Sequence, residues 1–277
     1  MRILERLEQL YTIGGGPGAN RPHPSSAEDE AHELAARWME EAGLQVEVDA
    51  SGNLIGRSAE REDVWVGSHL DSVPQGGRFD GALGVVAGIE AVERTGRGAV
   101  VAFRGEEVGC VGSRALVARG IGLPTVFLEL HVEQGPVLAN ADAPLGVVTG
   151  IVGYARGEVV FEGRAGHAGT TPMTGREDAL VVAAEAVLRI RDAARSFDGA
   201  VATVGQIEVE PGGINVIPGR ARLSVDARAP DAETLDRLIE AAGFAPVRYT
   251  EPDTITWRWQ ACAGAIDGHA AGKCLPM

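Results

Sequence analysis

The chain is short of cysteine, has no cluster of basic residues, and contains no apolar run of the roughly 18 residues that a membrane-spanning helix needs. Each shortage excludes something. Cys110, Cys262 and Cys274 form neither a closely spaced metal pair nor a disulfide framework, which points to a reducing, cytoplasmic setting. Met1 to Tyr11 mixes Leu and Ile with Arg and Glu at helical spacing; it lacks the continuous apolar stretch and cleavage site of an export signal and reads as an amphipathic first helix. A formal net charge of -14 opposes the counterion release that drives proteins onto nucleic acid, so neither nucleic acid nor a membrane is an expected partner.

What is present fits a globular protein. Hydrophobic residues make up 45% and charged residues 23% of 277 residues, enough for a sizeable core and for two domains. Ser25-Ser26 followed by Ala27-Glu28-Asp29-Glu30 reads as a helix cap with acids in the first turn, and Gly43 closes that helix. Leu44 to Val48 is a short strand, Ser51-Gly52-Asn53 a turn, and Val64-Trp65-Val66 an apolar strand running to His69. The Gly14-Gly15-Gly16-Pro17-Gly18 stretch lacks the Lys-Ser/Thr ending of a phosphate loop and reads as a mobile loop.

A Gly-rich turn carrying Asp80 precedes a helix from Ala82 to Gly96. The all-apolar run Ala99 to Phe103 predicts a strand covered on both faces, delivering Glu106 and Glu107. A helix from Ser113 to Arg119 and a strand from Thr125 to Leu130 follow, the strand delivering His131. In parallel α/β sheets ligands bind beyond the carboxyl ends of the strands, so His69, Glu107 and His131 are expected around one crevice.

After Gly153 the texture changes. Strands at 158–161, 200–208, 222–228 and 246–249, with helices at 176–190 and 232–242, give the β-α-β-β-α-β order of a ferredoxin-like sandwich. The predicted architecture is therefore α/β: a catalytic domain of residues 1–153 and 254–277 built on a mostly parallel sheet, and an inserted α+β domain of residues 154–253.

Two imidazoles and a carboxylate at successive strand ends, with the Asp80 carboxylate on a turn, are a ligand set for zinc or a similar divalent ion. Asp71, two residues past His69 on an extended chain, is placed to hydrogen-bond the ring nitrogen that does not hold metal. Adjacent acids such as Glu106-Glu107 are commonly only a solvated turn. A metal-assisted hydrolase, however, needs one carboxylate on the ion and another to take a proton from the activated water. By residue type alone, the His167 loop, the Asn215 loop and Arg228 are ordinary turn and surface features.

Several longer stretches carry a resemblance. Gly67-Ser68-His69-Leu70-Asp71-Ser72, Gly76-Gly77-Arg78-Phe79-Asp80-Gly81-Ala82-Leu83-Gly84 and Glu106-Glu107 lie in the first half. Glu129-Leu130-His131-Val132-Glu133-Gln134-Gly135-Pro136, Gly166-His167-Ala168-Gly169-Thr170-Thr171-Pro172-Met173 and Asn215-Val216-Ile217-Pro218-Gly219 follow. Together they resemble the amidase, hydantoinase and carbamoylase branch of the M20 metallopeptidases, which includes N-carbamoyl-L-amino-acid hydrolases and allantoate amidohydrolases.

The resemblance implies a zinc-aminopeptidase-like catalytic domain with a lid or dimerisation domain, acting as an amidohydrolase on small carbamoyl or ureido amino acids. It implies two divalent ions (zinc, manganese, cobalt or nickel). Asp80 would bridge them, His69 and His131 would complete one position, and Glu107 would hold the other. Glu106 would be the general base, and His167 would polarise the scissile carbonyl or its oxyanion. Gln134 and Asn215 would contact substrate, and Arg228 would pair with its carboxylate as a bidentate fork. A homodimer is implied, with His167 and Asn215 reaching the partner's site.

Two departures from the family pattern shape the expectations. The segment between Glu107 and His131 is short, and the chain stops where the family continues with a Ser-Gly-Ala-Gly-His-Asp-Ala motif and a later His. With only Asp80 and Glu107 the second metal position is expected to bind weakly. His269 lacks that motif's surroundings and reads as part of a tail. The rival readings are a dipeptidase or aminoacylase of the same superfamily, and an inactive, dimerising module built on residues 154–253.

Overall fold

The computed structural model describes residues 2–120 and 122–244, which form two compact units meeting at Gly146 and Val147. The expected strand at 246–249, the return of residues 254–277 to the first domain, and His269, Cys262 and Cys274 all lie outside the described residues. Among the described residues no helix is long and apolar enough to cross a membrane.

The first unit begins with α1 (Arg2–Thr12) and α2 (Ser26–Glu41). Ser25 caps α2 by accepting from the Glu28 amide at 3.2 Å. Its helical period buries Ala31, Ala35, Trp38 and Met39 on one face. β1 (Gln45–Val48) forms a hairpin with β2 (Leu54–Arg57) across the Asp49 to Asn53 turn. The sequence reading did not find β2. Only four residues long and holding Gly56, it carries little alternating pattern, and its existence is decided by antiparallel pairing with β1 and β4.

β3 (Glu60–His69), α3 (Ala82–Thr95), β4 (Arg97–Phe103), α4 (Val111–Arg119) and β5 (Val126–Leu128) complete the sheet in the order β1-β2-β4-β3-β5. β4, β3 and β5 are parallel, and the β1–β2 hairpin joins antiparallel. The apolar run of β4 is explained by two cores. Val100 and Ala102 pack with residues of α1, α2 and α3, whereas Ala99 and Val101 pack with Ile55, Trp65 and Leu116 of α4. A strand whose alternate side chains both meet helices has no position for a polar residue.

From β3 the chain crosses to β4 on one side, then returns past β3 to β5 on the other. The carboxyl end of β3 is therefore a topological switch point. A short α5 (Val137–Asn140) follows, capped by the Glu133 carboxylate, which accepts from the Val137 and Leu138 amides at 2.8 Å each.

The second unit has an antiparallel sheet in the order β6-β10-β8, formed by β6 (Gly153–Glu162), β8 (Val201–Glu210) and β10 (Arg220–Ala229). α6 (Ala179–Arg195) and α7 (Ala232–Ala241) supply Ala183, Ala186, Ile190, Leu235 and Leu238 to its core. β10 alternates strictly, sending Ala221, Leu223, Val225, Ala227 and Ala229 inward. The order β-α-β-β-α is present. Between these elements β7 (Gly166–His167) pairs with β9 (Val216–Ile217), a small ladder where the local sequence pattern shows only two loops.

Candidate metal centre and amidase site

The first unit gathers five of the singled-out side chains at the switch point. His69 ends β3 and is 2% exposed. Its Nδ1 lies 3.1 Å from the Asp71 carbonyl oxygen and 3.3 Å from the Asp71 carboxylate, leaving Nε2 to face Asp80 Oδ1 at 3.8 Å and Glu106 Oε2 at 3.7 Å. His131 shows the same division of labour. Its Nδ1 meets the Val132 carbonyl at 2.8 Å and its Nε2 faces Asp80 Oδ1 at 3.2 Å. In the neutral ring, a backbone carbonyl that accepts from Nδ1–H fixes the tautomer whose Nε2 lone pair can face an ion.

Ligand atoms of His69, Asp80 and His131 lie within 4.8 Å of one another, and so do those of His69, Glu106 and Glu107. The remaining Asp80 oxygen accepts from Gln134 Nε2 at 2.5 Å. Gly81 makes the close approach possible. It sits at φ +62, and a Cβ there would lie 2.6 Å from the His69 ring.

The acids and imidazoles of the cluster shift one another. The hydrogen bond to Asp80 lifts His131 to a pKa of about 9 against the opposing effect of burial. In return that bond holds the Asp80 carboxyl below its usual range. Burial opposes a charged His69, but Asp71, Glu106 and Asp80 outweigh it and raise its pKa. Glu107 is pushed up, first by burial and then by the Asp80 charge. Three carboxylates and two imidazoles at one partly buried point form a nitrogen and oxygen donor set that fits a divalent ion, whose charge would relieve the repulsion among the acids.

Asp71 does more than steady the His69 ring. Fully buried, its carboxylate accepts from the Glu106 and Glu107 amides, both at 3.0 Å, and so fastens the end of β3 to the loop after β4. Behind it lies Arg21, also fully buried, which the sequence reading passed over. Its side chain donates to the Leu70 carbonyl at 2.7 Å and the Leu10 carbonyl at 2.8 Å, and its amide donates to Ser72 Oγ at 3.0 Å. Ser68 ties β3 to the segment after β5 by donating to Glu129 at 2.5 Å. The glycine loop before Arg21 is pinned rather than loose. Asn20 Nδ2 donates to the Gly15, Pro17 and Gly18 carbonyls, and Asn20 Oδ1 accepts from Gln75. A single asparagine among glycines gave no such signal in the sequence.

The second unit brings His167 and Asn215 together through the β7–β9 ladder, with the Ala168 amide donating to the Asn215 carbonyl at 2.9 Å. His167 Nδ1 accepts from the Gly169 amide at 3.0 Å, which places the ring proton on Nε2. Arg176 clamps this loop through the Ala168 and Thr171 carbonyls. Arg228 stands apart, near the other end of β10, opposite Tyr154 and Val201. There it donates to Asp226 at 2.8 Å, a carboxylate that Arg156 also engages at 2.7 Å.

Comparison with known proteins agrees with this layout. Residues 149–242 match the peptidase dimerisation domain and residues 52–128 match peptidase family M28. The chain is 38% identical, over 294 residues, to the N-carbamoyl-L-amino acid amidohydrolase of Geobacillus stearothermophilus, covering 87% of this chain and 72% of that one. The chain belongs to the hydantoinase/carbamoylase family of amidases. A crystal structure of a family member from Burkholderia multivorans superposes with a TM-score of 0.71 at 32% identity, covering 87% of this chain and 72% of that chain. Allantoate deiminase 1 of Glycine max is 32% identical over 306 residues, covering 82% of this chain and 63% of its own length. Both sequence alignments run longer than the part of this chain they use, so the relatives carry stretches inside the matched span that this amidase lacks. The short path from Glu107 to His131 is one place where the sequence suggests such a loss.

Proposed function

We propose that this amidase hydrolyses the C–N bond of N-carbamoyl-L-amino acids or related ureido acids. The observation that carries the reading is the convergence of His69, Asp80 and His131 with Glu106 and Glu107 at the carboxyl ends of three adjacent parallel strands. His69, Asp80 and His131 would hold one divalent ion, and Asp80 with Glu107 would hold a second. A divalent ion at this point supplies Lewis acidity at neutral pH.

Glu106 acts as the general base: it removes a proton from the attacking water and returns one to the leaving nitrogen. Its backbone is held by Asp71, so the loop carries the carboxylate from a fixed point beside His69. Gln134 holds Asp80 and contacts substrate from the same side. His167, with its proton on Nε2, donates to the oxygen that gains charge at the scissile carbonyl. Asn215 contacts substrate, and Arg228 receives its carboxylate by exchanging Asp226 for it. In this reading the enzyme is a homodimer in which His167 and Asn215 serve the partner's site.

Glu106→Gln tests the assignment. The carboxamide keeps the shape but cannot take a proton, so hydrolysis of a carbamoyl amino acid should fall at least about a hundredfold while zinc binding by calorimetry persists. Parallel assays on carbamoyl, ureido and dipeptide substrates separate the proposed activity from that of a peptidase. Wild-type turnover confined to dipeptides would overturn it.

A further inference from the structure

The geometry points to Glu28 as a positioning residue for the catalytic loop, a role that rests on the function proposed above. The loop after β4 leaves the sheet, so its amides lose their ladder partners. Four in succession are instead taken by side-chain oxygens from elsewhere. The Arg104 amide donates to Asn53 Oδ1 at 3.1 Å, Gly105 to Glu28 Oε1 at 3.1 Å, and Glu106 and Glu107 to the two oxygens of Asp71. All three acceptor residues are buried, Glu28 at 1% exposure.

The local sequence makes Glu28 notable. Ser25 and Glu28 have the spacing of a capping box, in which the Glu side chain turns back to the cap amide. Here Ser25 does its half, but the Glu28 carboxylate reaches 77 residues along the chain to Gly105. Its burial is offset by His23 Nδ1 at 2.7 Å and Arg104 at 3.3 Å, and Arg104 also reaches Asp29 at 2.8 Å. The His23 ring lies close against Gly105, which sits at φ +58; a Cβ there would be 2.8 Å from the ring. One oxygen of Glu28 therefore anchors the residue before Glu106, while the other is held in place by the His23 ring and the Arg104 guanidinium.

The test compares Glu28→Ala, Glu28→Gln and Glu28→Asp in the full chain. Gln retains an acceptor for Gly105; Asp keeps the charge but is one methylene short of reaching it. Glu28→Ala and Glu28→Asp should lower kcat at least tenfold with KM within twofold, and Glu28→Gln should restore kcat to within threefold of wild type. Protection of the Gly105 amide against hydrogen exchange should fall in the first two variants and persist in the third. If Glu28→Ala fails to fold, Glu28→Asp carries the comparison. A purely structural Glu28 would lower the melting temperature and leave kcat of the folded enzyme intact; that outcome, or unchanged Gly105 protection in Glu28→Asp, overturns the proposal. Should wild-type protein hydrolyse none of the substrates, the proposed function fails, and Gly105 protection alone supports or sinks the role of Glu28.

Discussion

Asp71→Asn is the perturbation that most directly asks how the site is built. The wild-type carboxylate serves two backbone amides with its two oxygens and lies 3.3 Å from His69 Nδ1. An asparagine offers one oxygen. Its NH2 group must then face either the Glu106 or the Glu107 amide, donor against donor, in a place with no exposure to water. Losing a hydrogen bond to a charged group and stranding its donor costs about 1.5 to 3 kcal/mol. Arg21, buried nearby and stabilised by the Asp71 charge, loses that compensation as well. The expected total is about 2 to 4 kcal/mol, or roughly 5 to 15 °C in melting temperature for a unit of this size. Because the His69 ring and the Glu107 backbone shift together, zinc affinity should fall about ten- to a hundredfold. Urea unfolding, hydrogen exchange at the Glu106 and Glu107 amides, and zinc calorimetry read the three effects separately. An Asp71→Asn protein within about 0.5 kcal/mol of wild type, with both amides still protected, would refute the account of Asp71 as the clasp between β3 and the catalytic loop.

Two other perturbations test different parts of the molecule. His32 is 4% exposed, and burial, followed by the Arg104 charge, lowers its pKa to about 3, with Asp71 and the Phe103 backbone pulling upward and His23 downward. Its folded value lies below the unfolded one of about 6.5, so its full contribution is present above pH ~6.5 and is lost as pH falls toward 3, at up to about 1.4 kcal/mol per pH unit. His32→Leu should flatten that acid limb in urea titrations across pH 4 to 7, and an unaltered slope would contradict it. His131→Ala removes a half-exposed candidate ligand together with its ion pair to Asp80, so zinc should bind at least about tenfold more weakly while metal-free stability falls by no more than about 1 kcal/mol. Calorimetry with and without chelator decides the matter, and unchanged affinity would remove His131 from the metal centre.

Much of this architecture was legible in the sequence because it follows from local pattern. The apolar run of β4, the Ser25 cap, the Gly96 stop and the strand-helix alternation each depend on neighbours within a few residues. They place His69, Glu107 and His131 at or just past strand ends. The chemistry of paired acids beside imidazoles was readable in the same way, since it rests on residue type and spacing. What the sequence could not convey is which distant group completes each hydrogen bond. Asp71 suggested itself as a partner for His69, two residues away. Its hold on the amides of Glu106 and Glu107 depends on β3 and β4 lying side by side. Glu28 announced a helix cap and serves Gly105 instead, and Arg21 gave no signal although it braces the segment that carries Asp71. Periodicity and residue chemistry determined the strands and the candidate ligand types. The tertiary structure decided the support around them, because a buried backbone amide must be satisfied by whichever acceptor the packing brings within about 3 Å.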